Sequence, residues 1–173
     1  SRPLCCGRTY LAAGLVDDES EIWGQRMDQN GGGLGANDAR ISDVGGDGDA
    51  AYGAFNPSVA YNSVDNEYLV VWMGDDNVGG LVDNEMEVFS QRMDATLAGL
   101  GPNDYRLSDV GGIGNALYDV SSPPDVAFNP IEDEYLVVWV ADDPIDGIVD
   151  GELEVFAQRL TWDIQGVGPN DER

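Results

Sequence analysis

The chain has no histidine and no lysine, and its only two cysteines are neighbours, Cys5 and Cys6. Losing histidine removes the commonest general base and the commonest transition-metal ligand together, so no Ser-His-Asp or Cys-His arrangement can be built. The eight basic residues are all arginines, set against 33 aspartates and glutamates for a net charge of −25. A surface of that sign repels phosphate backbones and anionic headgroups, which argues against nucleic acid and membrane-surface partners. No apolar run nears the ~20 residues of a spanning helix, so membrane insertion is not expected.

Adjacent cysteines close a strained ring when bonded to each other. A vicinal disulfide at Cys5–Cys6, pairing to another chain and two free thiols all stay open. The C-x-x-C spacing of metal or redox sites is absent. The opening SRPLCCG lacks signal-peptide character, and a start at Ser fits export with the leader already removed. The expected location is therefore secreted or cell surface. Abundant Asp without Lys also suits a protein kept soluble in high salt, with no ligand required.

What is present is a core and a repeat. Hydrophobic residues make up 42% of the 173 positions, enough for one folded domain rather than a disordered polyelectrolyte. Gln25-Arg26-Met27-Asp28 recurs 66 residues later as Gln91-Arg92-Met93-Asp94, and 67 residues after that as Gln158-Arg159-Leu160. In the same register LGANDARISDVGG (34–46) returns as LGPNDYRLSDVGG (100–112), and VGPNDER (167–173) begins the phrase again. PSVAYN and PDVAFN are each followed by EYLVVW. The domain 1–173 divides into units of approximately 1–48, 49–114 and 115–173.

Each unit offers four strand candidates: PSVAYN/PDVAFN, EYLVVWM/EYLVVWV, EIWGQRMD/MEVFSQRMD/LEVFAQRLTW and ARISDV/YRLSDV. β-branched and aromatic residues fill these runs, and Gly, Pro, Asn and Asp fill the gaps. Helical periodicity is nowhere sustained, so the fold class is all-β with antiparallel strands. In EYLVVWM, Tyr68, Val70 and Trp72 face one way and Leu69, Val71 and Met73 the other. Both sets are apolar, which predicts a strand covered on both faces.

These phrases resemble the blades of β-propellers, and in particular bacterial extracellular repeat proteins whose units read PxVAYN, EYLVVW, a QR strand and a final R-I-S strand. The resemblance implies propeller-like four-stranded repeats acting as a scaffold. About three units are expected, the first degraded to PLCCG and TYLAAG, the last incomplete because the chain stops before a third LSDV. A longer polypeptide, an open array, or completion by another copy would each finish the sheet. Assembly into a homo-oligomer, filament or ring through strand pairing is the favoured expectation.

Acid clusters follow the second strand of each unit. Asp75, Asp76, Asp83 and Glu85 in one copy, and Asp142, Asp143, Asp146, Asp150 and Glu152 in the next, offer the oxygen-rich loops that calcium takes. Their spacing is not that of an EF-hand. The alternative is a solvated acidic loop. Six arginines hold repeat positions, Arg26, Arg92 and Arg159 in the QR phrase and Arg40, Arg106 and Arg173 in NDxR; pairing with carboxylates between strands or blades is expected. Paired acids are too abundant to mark a glycosidase, and Trp72 and Trp139 read as core. The chain is thus read as a non-enzymatic structural protein, with a glycan-binding or adhesive module using the acidic loops as the alternative.

Overall fold

The computed structural model describes residues 14–144, 149 and 151–173. Among the described residues ten strands, and no helix, run in order: β1 (Trp23–Met27), β2 (Gly33–Arg40), β3 (Ala54–Asn62), β4 (Glu67–Gly74), β5 (Glu87–Asp94), β6 (Gly99–Arg106), β7 (Asp125–Asn129), β8 (Glu134–Asp142), β9 (Leu153–Thr161) and β10 (Gly166–Glu172). They form three antiparallel sheets, β1-β2, β3-β4-β5-β6 and β7-β8-β9-β10, each joining strands consecutive in the chain. The fold is therefore all-β, with no sheet closed on itself.

The first hairpin of each full sheet turns through SVDN or PIED. Asn62 Oδ1 accepts the N–H groups of Val64 and Asp65, and Asn129 Oδ1 accepts that of Ile131. Each turn ends on a residue with positive φ, Asn66 (59°) and Asp133 (56°), a conformation that Asn and Asp tolerate better than branched residues.

Strand β4 is covered on both faces, as its alternating apolar residues predict. Val70 and Trp72 pack with Phe89 and Met93 against Ile22, Ile41 and Val44 of the first unit. On the opposite face Leu69 and Val71 pack with Val88 against Tyr135, Val137, Trp139 and Phe156 of the third sheet. Trp72 lies across from Phe89 in register and Trp139 across from Phe156, with stacked ring centroids 6.4 and 6.5 Å apart. The three sheets are thus layers held by two successive apolar seams, and area burial at these seams is the main source of cohesion.

Two expectations are corrected. The fourth strand is not ARISDV or YRLSDV: β2 and β6 consist of GLGANDAR and GLGPNDYR, reaching only the first two residues of those phrases. A run rich in Gly, Pro, Asn and Asp reads as a turn on propensity. Here it pairs as a bulged strand, with positive φ at Gly35 and Asp38, and at Gly101 and Asp104. The residues after it leave the sheet, and Ile41, Val44, Leu107 and Val110 plug the seams instead.

The second correction follows. GVGPNDE is β10, so the third sheet has all four strands, and what the third unit lacks relative to the second is the LSDVGG segment that follows the fourth strand. Among the described residues the first unit contributes only β1 and β2; PLCCG and most of TYLAAG, with Cys5 and Cys6, lie outside them.

Candidate functional site

The polar residues that repeat gather where one unit meets the next. Glu85, fully buried, follows the loop after β4. Its carboxylate accepts the N–H of Val82, closing its own turn, and that of Gly114 in the connection to the third sheet at 2.9 and 3.0 Å. Glu19 repeats the pattern one unit earlier, accepting from Val16 and from Gly48. Glu152 accepts from Val149 in the third unit.

The aspartates beside them act similarly. Asp75 takes the N–H groups of Gly53 and Asn84, one on each carboxylate oxygen, at 2.9 and 3.0 Å. Asp76 accepts from Gly45 of the first unit's loop and from Asn77. Asp142 accepts from Gly151, Asp143 is buried, and Asp83 is exposed. Asp146 and Asp150 fall outside the described residues. Among the described residues, no three or more acids or cysteines are arranged to hold a metal ion. A carboxylate committed to two amides already has its charge satisfied by oriented dipoles.

The paired arginines find their carboxylates within their own unit. Arg92 on β5 reaches Glu67 on β4 at 2.6 Å, and Arg159 on β9 reaches Glu134 on β8 at 2.6 Å, both through Nη2. The Glu134 contact holds the Arg159 guanidinium more firmly protonated than usual. Arg40 pairs with Glu21 at 2.9 Å and also with Asp43 and Asp47. Arg106 sits 3.2 Å from Asp109 and 3.6 Å from Glu87. Among the described residues neither Arg26 nor Arg173 forms an ion pair.

Several repeat positions carry roles that the sequence reading missed. Gln25, Gln91 and Gln158 each donate through Nε2 to the carbonyl of the following arginine and to a carbonyl of the neighbouring strand, Leu34, Leu100 or Val167. The glutamine thereby bridges the place where β1–β2, β5–β6 and β9–β10 lose register. Ser42 and Ser108 accept the N–H of Ile22 and Val88, each at 2.8 Å, and donate to Glu21 and Glu87. Their shared offset was the available signal.

Further contacts cross between units. Trp162, which has no counterpart in the other units, places its ring 5.0 Å from the Arg92 guanidinium carbon. Asp104 on β6 accepts the N–H of Asp43 in the first unit at 3.0 and 3.2 Å. Burial pushes the Asp104 carboxyl up to about 7; the Asp43 amide opposes this, while the charges of Asp76, Glu21 and Asp43 add to it. Glu21 is raised mainly by burial, as is Asp119, which accepts the N–H of Met86.

No family model, curated protein or solved structure matches this chain. Its chemistry therefore rests on the geometry just described. That geometry is one of repeated clamps on backbone amides and of stacked apolar faces.

Proposed function

We propose that the chain is an extracellular structural protein, a stack of propeller-like β units that assembles with further copies into a ring or filament. One observation carries this reading. The outer face of the second sheet is covered by the third, whereas the matching face of the third sheet lies open, with Leu136, Leu153 and Val155 exposed. The sheets also approach each other along their first strands: Ser58 on β3 donates to Asp125 on β7 at 2.8 Å, which supports a radial, blade-like arrangement.

Cohesion in this account comes from face-to-face packing. The third sheet already has four strands, so this account places the contact between copies on its face. The loop acids serve as amide acceptors, and the surplus of negative charge keeps the surface hydrated. Negative-stain electron microscopy of concentrated protein tests the proposal: rings or filaments are expected, and a uniform field of single small particles would refute it.

One feature favours the glycan-binding alternative. A cleft of about 410 Å³ between the first two units is lined by Arg40, Asp43, Gln91 and Asn103, with Met93 and Leu97 as apolar floor. Such a mixture suits sugar hydroxyls and ring faces. A glycan array without hits would remove this reading.

A further inference from the structure

The repeat supplies an internal template for what covers the open face of the third sheet. Leu69, Val71, Met73 and Val88 on the second sheet correspond, 67 residues on, to Leu136, Val138, Val140 and Val155 on the third. The first set is sealed: Leu69, Val71 and Val88 are 0% exposed. In the second set Leu136 is 44% and Val155 60% exposed, with Leu153 beside them at 56%. The arginines follow suit, since the Arg92 side chain keeps 12% of its surface under Trp162 whereas that of Arg159 keeps 55%.

The surface that seals the second sheet is also defined by position. It includes Phe156, Gln158 and Leu160 on β9, all buried. The same three positions on β1 are Trp23, Gln25 and Met27, and there Trp23 is 39% and Met27 62% exposed. One end of the stack thus presents the face that takes a sheet, and the other presents side chains of the kind that fill such a face. The centre of the receiving face carries no free charge, because Arg159 is paired with Glu134. That neutrality matters in a chain of net charge −25, where two like-charged copies meet most easily through an uncharged patch.

We infer that the outer face of β8 and β9 is a docking surface for a second copy of this chain, which seats its β1 face, Trp23 and Met27 foremost, on Leu136, Val138 and Val155. The contact is heterologous, head to tail, and continues the seam already present between the second and third sheets. It rests on the scaffold reading and adds the face, the polarity and the partner. Repulsion between copies makes it salt-dependent, strengthening as ions screen the charge.

The test uses the full chain and three variants, Val155→Asp, Leu136→Asp and Met27→Asp, all at exposed positions, with circular dichroism and melting temperature confirming the fold. In sedimentation velocity the wild type is expected to associate, and each variant alone to associate at least about tenfold more weakly. Val155→Asp mixed with Met27→Asp is expected to give one-to-one dimers and nothing larger, because each variant keeps the half that the other lacks. Wild-type association that Val155→Asp and Leu136→Asp leave unchanged would overturn the docking face while leaving the scaffold reading in place. Dimers of Met27→Asp alone would overturn the head-to-tail polarity. A wild type that stays monomeric would overturn both.

Discussion

The carboxylate of Glu85 accepts the backbone N–H of Gly114, 29 residues further on, and Glu19 holds Gly48 at the same separation. The two contacts fasten the successive inter-unit connections at equivalent points. Glu85→Ala strands buried amides and is expected to cost about 3 kcal/mol in urea unfolding. Glu85→Gln keeps an acceptor oxygen and should cost roughly half as much. Asp83→Asn, on the exposed part of the same loop, is expected to stay within about 0.5 kcal/mol.

Amide acceptors do not require a cation. Addition of EDTA is accordingly expected to leave the melting temperature unchanged at fixed ionic strength, and calcium to produce no saturable rise. A concentration-dependent rise that follows a binding isotherm would return Asp75, Asp76 and Glu85 to the role of ligands.

Asp104 makes the stability acid-favoured. Its carboxyl stands at about 7 in the fold, against 3.8 as its ordinary value, so the folded state holds the extra proton between those limits. The stabilisation is fully present below the unfolded value and is lost as pH rises through about 7. Raised Glu21 and Asp119 act in the same sense. Asp28 and Asp94, lowered chiefly by hydrogen bonds from Gly32 and Thr96 respectively, act oppositely: their contribution is present above the ordinary carboxylate value and is lost on acidification. Melting temperature is expected to fall from pH 5 to pH 8, and Asp104→Asn should flatten much of that slope. The effect is on the order of 2 kcal/mol once solvent screening is discounted.

Trp162 joins the third unit to the second through Arg92. Trp162→Ala is expected to lower stability by about 1 kcal/mol. Arg92→Lys should lose a comparable amount, since an ammonium cannot both lie flat on the ring and reach Glu67 with two nitrogens. In a double-mutant cycle the two losses should not add.

The two-faced strand EYLVVW was legible because an unbroken apolar run puts apolar side chains on both faces, and Trp72 and Trp139 sit where that pattern puts them. The phrase GLGPNDYR was not legible as a strand. Its pairing depends on bulges at Gly101 and Asp104 and on the Gln91 side chain, a partner in another strand that propensity does not see. The loop acids were visible as a repeated cluster, but sequence spacing alone does not distinguish a carboxylate facing a cation from one facing amides. The amide that the Glu85 carboxylate faces belongs to Gly114, a partner far along the chain that spacing does not reveal. Trp162 has no counterpart in the repeat, and only the stacking of the sheets brings Arg92 to its ring.

The central claim is that the stack is open at its third sheet and takes another copy there. Sedimentation velocity on the wild-type chain, across protein concentration at low salt and at about 0.5 M NaCl where charge is strongly screened, tests it most directly. The account predicts masses that climb in multiples of 18.5 kDa, more steeply at the higher salt. A single 18.5 kDa species under every condition would contradict it.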